Sequence, residues 1–153
     1  MNSFKRILIA VDNTPCTDKV VHYANEFFIS TDSTVALVTV IPPTSPATYG
    51  ADSLLGQQPI IVPEITEIQQ ESAEEFVKNI ASKIYSAKEL YTFAKIGSIK
   101  QEILSLAEEW AADLIIMGSN GRSGFDHFIS GSVSESVIRK SHCPVFVIPV
   151  HCD

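Results

Sequence analysis

The sequence predicts an α/β domain: one doubly wound parallel sheet of five strands with helices on both faces. Three observations carry this. Strand-like and helix-like stretches alternate along the whole chain as βαβαβαβαβ, and right-handed crossovers then put helices on both sides of the sheet. The strand stretches are nearly continuous in apolar residues, as in strands covered on both faces. Four of the seven glycines (Gly118, Gly121, Gly124 and Gly131) crowd into the stretch after the fourth strand. Ligands bind at strand carboxyl ends in sheets of this class.

The elements follow in order. Ile7 to Val11 is a short apolar run and the first strand. Asp12-Asn13-Thr14-Pro15 gives a turn with Thr14 as N-cap and proline at the first helical position. Val20, Val21, Ala24, Phe27 and Phe28 then fall on one stripe of a 3.6-residue period, the first helix. Thr34 to Ile41 is apolar and β-branched, a second buried strand ended by Pro42-Pro43. Residues 42–63 carry Pro, Gly, Ser, Thr and Gln without a period and read as a long loop, either a lid or a disordered connection.

A second helix is expected from about Glu64 to Ala87, with Ile65, Ile68, Phe76, Val77, Ile80 and Ile84 on its apolar face. Glu71, Glu74, Glu75 and Lys78 make its solvated face. Tyr91 to Ile96 is a third strand near an edge, closed by Gly97. Ser98-x-x-Gln101 is a capping-box pattern that opens a third helix, with Ile99, Ile103, Leu106, Ala107, Trp110 and Ala111 on its stripe and Trp110 in the core. Asp113 to Met117 is the fourth strand, Val133 to Lys140 the fourth helix, and Val145 to Ile148 the fifth strand. No internal repeat occurs.

Length and composition bound the function. At 153 residues, with 45% apolar and 19% charged residues, the chain makes one globular domain that buries roughly two-thirds of its unfolded surface. No apolar run reaches the ~20 residues of a membrane span. The first residues lead into a strand rather than a signal-peptide core, so the expected compartment is the cytoplasm. A net charge of −7 argues against a general nucleic-acid binder. An anionic ligand must then be held by local N–H groups and helix dipoles against the overall field. Cys16, Cys143 and Cys152 are odd in number and lack C-x-x-C spacing, so reduced thiols are expected, with Cys16 a small buried residue.

Glycine admits positive φ and leaves neighbouring N–H groups open to a ligand, and Ser132 opens the last helix. The spacing is Gly118-x2-Gly121-x9-Gly131-Ser132. It resembles the G-x2-G-x9-G-(S/T) motif of the ATP-binding branch of the universal stress proteins. The likeness extends to Arg6 through Asp12 and to Ser141 through Pro149, and so covers nearly the whole chain. It implies strand order 3-2-1-4-5, which puts the reversal between the strands that end at Asp12 and Gly118. In that family the adenine edge pairs with backbone at the end of the second strand, here Val40, and Ala10 and Val11 line the adenosine pocket.

Asp12 can accept hydrogen bonds from ribose hydroxyls or an exocyclic amine, or instead cap the adjacent turn. Gly118, Gly121, Gly131 and Ser132 are the phosphate candidates, acting through main-chain N–H groups, with the Ser132 hydroxyl as an added donor, and Met117 and Val133 beside them are further cofactor-binding candidates. Ser132-x-x-Glu135 is also a capping box, so Ser132 can simply cap the helix. Arg122 is the nearest cation. No G-x-x-x-x-G-K-[ST] segment occurs, so a dedicated ATPase is not expected, and any magnesium would arrive with the phosphates. His22, His127, His142 and His151 offer no metal-ligand spacing, and no nucleophile elbow supports a hydrolase.

The reading is therefore an adenine-nucleotide (ATP, or ADP or AMP) binding sensor or regulator with at most slow hydrolysis. The alternatives are a nucleotide-free interaction module and an adenylyl-transfer or pyrophosphatase-type enzyme. The last strand is short, apolar and at an edge. Family resemblance implies antiparallel pairing there, a homodimer through Val145 to Val150.

Overall fold

The computed structural model describes residues 3–43, 63–119 and 133–149. Five strands, β1 (Arg6–Ala10), β2 (Thr34–Ile41), β3 (Glu89–Ile96), β4 (Leu114–Gly118) and β5 (Val145–Ile148), alternate with α1 (Cys16–Phe27), α2 (Pro63–Ala81), α3 (Ile99–Glu109) and α4 (Val133–Lys140). All pairings are parallel and the order is β3-β2-β1-β4-β5. The expected fold class and strand order are both present.

Each buried strand sends alternate side chains to opposite faces, as the two-residue period requires. Ile7, Ile9, Val35, Leu37, Leu114, Ile116 and Ile148 pack under α1 and α2, with Val20, Val21, Ala24, Val77 and Ile80. Leu8, Ala36, Val38, Ile115 and Met117 pack under α3 and α4, with Ile103, Leu106, Ala107 and Val137. The sheet therefore separates two cores, and residues one apart on β1 belong to different ones.

Several expected boundaries move, each for a local reason. The helix N-cap is Pro15 rather than Thr14, because the Thr14 hydroxyl donates to Asp12 Oδ1 at 2.5 Å instead. Ser98 is the N-cap of α3 but makes no side-chain cap bond, so the expected capping box is not formed. The second helix stops at Ala81, not Ala87. Tight bonds from Lys83 N to Ile80 O and from Ile84 N to Ala81 O bend the chain there, yet Ile84 still packs on the first core. Ile68, expected on the apolar face of α2, is 65% exposed, while Glu71, Glu74, Glu75 and Lys78 are exposed as expected. The side chain of Ile65 lies outside the described residues.

Trp110 caps α3 rather than lying within it and is half-buried. The Arg6 guanidinium stacks 4.1 Å over its ring, and Arg6 Nε donates to its carbonyl at 2.8 Å. Ala111 is exposed at φ 54°, a left-handed residue that ends the helix instead of continuing its stripe. β3 starts at Glu89, two residues before the expected Tyr91, and is an edge strand as anticipated.

Candidate functional site

The sheet opens at its order reversal. β1 and β4 are paired at Ile7↔Leu114, Leu8↔Ile115 and Ile9↔Ile116, and go separate ways beyond that point. Val11 N donates to Val38 O at 2.9 Å, keeping the β1 exit on β2, whereas Ser119 N donates to Ile148 O at 2.9 Å, keeping the β4 exit on β5. The amino ends of the two strands are clamped together. Asp113 Oδ2 and Oδ1 accept from Lys5 N at 2.8 Å and Arg6 N at 3.0 Å. The two strands therefore share three paired residues and then bond different neighbours.

Main-chain direction at these strand ends follows from register. Thr34 N and Val38 O bond β1, while Ser33 O and Ile41 O bond the segments flanking and ending β3. Even-numbered residues of β2 therefore aim their N–H and C=O groups at the β1 side, and Val40 aims its pair past Val11, the last β1-side residue whose amide bonds β2. An N–H and a C=O side by side match the donor–acceptor edge of a purine or amide.

Of the residues expected at the site, Ala10, Val40, Met117 and Val133 come together on one face. Met117 is buried, and Ala10, Val40 and Val133 pack against the same core. The Val11 side chain lies in the core on the opposite face of the sheet from Ala10. Gly118 ends β4, half-buried. Gly121, Arg122, Gly131 and Ser132, with His127 and most of the 42–63 loop, lie outside the described residues.

Asp12 is half-buried just past the carboxyl end of β1. Besides the bond from Thr14, Thr17 Oγ1 donates to Asp12 O at 2.5 Å and accepts from Asp12 N at 3.2 Å, with Asp12 Oδ1 3.3 Å away. Both intramolecular contacts use Oδ1, so Oδ2 remains for a further donor among the described residues. The turn-capping role expected from the sequence is filled through Oδ1. Thr17 is 3% exposed. Sequence reading missed it because a lone threonine on a helix carries no signal; its spacing of five from Asp12 is the one available clue.

A second feature was also missed. Pro42, Pro43, Gly97, Ser98, Ile99, Lys100 and Val133 line an open cleft of about 450 Å³ on the α3–α4 side of the same sheet end. Gly97 turns the chain there at φ 157°, and an added Cβ would lie 2.9 Å from Glu102 Oε1. The expectation of reduced thiols is overturned at one position: Cys16 is disulfide-bonded, while Cys143 is a free thiol. Among the described residues no group of three or more His, Cys, Asp or Glu could hold a metal ion, and no helix is long and apolar enough to cross a membrane.

With this geometry in view, the comparisons with known proteins are consistent with one another. The family model described as the universal stress protein family matches residues 3–149. A putative universal stress protein of Staphylococcus aureus is 33% identical over 97% of this chain and 86% of that relative. A universal stress protein of Methanocaldococcus jannaschii is 35% identical over 55% of this chain, which spans half of that relative's length. Among solved structures, hypothetical protein MJ0577 superposes with a TM-score of 0.79 at 24% identity, over 99% of this chain and 100% of that one. A universal stress protein in complex with cAMP gives 0.64 at 17% over 97% and 98%. An Arabidopsis thaliana family member with AMP bound gives 0.60 at 17% over 96% and 92%. The sequence match across nearly the whole chain, on a five-stranded sheet of order β3-β2-β1-β4-β5, makes this chain a member of the universal stress protein family.

Proposed function

We propose that the crevice between the carboxyl ends of β1 and β4 binds an adenine nucleotide, ATP or its relatives ADP and AMP, and that the protein acts as a sensor or regulator rather than a dedicated enzyme. The observation that supports this most is the parting of β1 and β4 after Ile9 and Ile116, with the Val40 main chain aimed past the end of β1. Adenine would pair with Val40, its ring lying against Ala10, Met117 and Val133. Asp12 Oδ2 would accept from the ribose hydroxyls. Gly118, Gly121, Gly131 and Ser132 would offer N–H groups to the phosphates at the start of α4, with Arg122 as the adjoining cation. Magnesium would come with the phosphates and keep mostly water ligands. That two structural neighbours are complexes with cAMP and AMP supports the ligand class.

The chain lacks the lysine of a P-loop hydrolase, and so binding with at most slow turnover is the proposal. We place the protein in the cytoplasm and pair two copies through β5. Calorimetry with ATP, ADP, AMP and cAMP tests the ligand. Heat saturating at one equivalent is expected for the wild type, with a loss of at least tenfold in affinity for the Gly121→Val/Gly131→Val double variant. No heat with any adenine nucleotide would leave a nucleotide-free interaction module as the function.

A further inference from the structure

The two edges of the sheet differ. At β3 the even-numbered residues face away from β2, and one of their carbonyls, Ala94 O, is already taken by Gln70 Nε2 of α2 at 3.0 Å. At β5 the N–H and C=O groups of Val145 and Val147 face outward with no partner among the described residues, and the Phe146 side chain is 40% exposed. The groups that flank this short edge cannot extend it. Cys143 N donates to Ser141 Oγ at 3.2 Å, Pro149 carries no N–H, and Pro149 O accepts from Lys19 Nζ at 3.4 Å.

A second copy of this chain carries the matching edge, and a two-fold axis lets the same residues meet from both sides. Val145 can then lie opposite Val145, Val147 opposite Val147, or Val145 opposite Val147. The first register turns each Val147 carbonyl to a Cys143 N–H that Ser141 already holds. The second turns each Val145 carbonyl to Pro149, which has no N–H to give. Only the third pairs every outward N–H and C=O of both valines in both copies. It also sets Phe146 opposite its own copy at a non-hydrogen-bonded position, where Cα atoms approach to about 4.5 Å and side chains are closest. Phe146 already packs on Phe28, with ring centroids 4.5 Å apart, and Phe28 rests on the core under α1 and α2. We propose that Phe146 lies on the two-fold axis of a dimer of this chain, where Phe28 and Phe146 of both copies make a four-ring apolar centre. This rests on the proposed pairing through β5 and adds to it the register and the aromatic centre.

Cysteine cross-linking in the full-length protein tests the register. Phe146→Cys, Val145→Cys and Val147→Cys are each oxidised under mild conditions and mapped by peptide mass, which separates a new bond from those of the native cysteines. Position 146 should cross-link to itself between chains. Positions 145 and 147 should not, because two residues out of register puts their Cα atoms beyond about 7 Å. Sedimentation supplies a second readout. Phe146→Lys, which places like charges on the axis, should raise the dimer dissociation constant by about tenfold or more, whereas Phe146→Trp should keep the dimer. A dimer that cross-links at 145 or 147 but not at 146, or that Phe146→Lys leaves intact, would overturn the register without removing pairing through β5. A wild-type monomer, or a dimer with none of these cross-links, would overturn both.

Discussion

At Asp12 one carboxylate serves the fold through Oδ1 and, in our proposal, the ligand through Oδ2. The two uses separate by mutation. Asp12→Asn keeps an oxygen for Thr14 but loses the charge, and should cost under about 1 kcal/mol of stability while weakening nucleotide binding about tenfold by calorimetry. Thr17→Val strands the Asp12 N–H and C=O that the hydroxyl satisfies. It should cost about 1–3 kcal/mol in urea unfolding and weaken binding as well. Unchanged stability in Thr17→Val would show that water replaces the hydroxyl. Asp12 was readable because it follows an apolar run at a strand end. Thr17 was not, since its partners meet it only once the chain has turned into α1.

Among the elements, β2 and β5 were readable to the residue because prolines bound them: Pro42-Pro43 after one, Pro144 and Pro149 around the other. The end of α2 was not, because Ile80 and Ile84 continue the helical spacing and both reach the core, the second from a turn. At β5, Ile115 N bonds Pro144 O and Ser119 N bonds Ile148 O. Even-numbered residues therefore face β4, and Val145 and Val147 aim their N–H and C=O groups at the open edge. Val147→Pro removes an edge donor without removing a ladder bond to β4. Light scattering should give a dimer for the wild type and a monomer for this variant. A wild-type monomer at micromolar concentration would contradict pairing through β5. Gly97, in the turn between β3 and α3, has a positive φ. Gly97→Ala should therefore cost about 1 kcal/mol or more in thermal unfolding.

For the whole molecule, strand order and both cores were implied by the alternation of apolar runs and by the family likeness. The point where strand order reverses, between β1 and β4, is where the sequence places the candidate site. What the sequence could not convey was direction: that Val11 turns into the opposite core from Ala10, and that Val40 presents its main chain past the end of β1. Those depend on register, which pairing partners set and single strands do not record. The net charge of −7 repels an anionic nucleotide at long range, and salt screens that repulsion within ~10 Å at 0.1 M. The association rate for ATP should therefore rise, by about twofold, between 20 and 200 mM salt in stopped-flow measurements. A fall would mean that local cations dominate the approach.

The most direct test of the nucleotide site is an amide NMR titration of the labelled protein with AMP and ATP. Shift changes should concentrate at Ala10, Asp12, Val40, Gly118 and Val133, with those toward α4 larger for ATP. Saturating nucleotide that left these amides unmoved, or moved only those along β3 and α2, would contradict binding between β1 and β4.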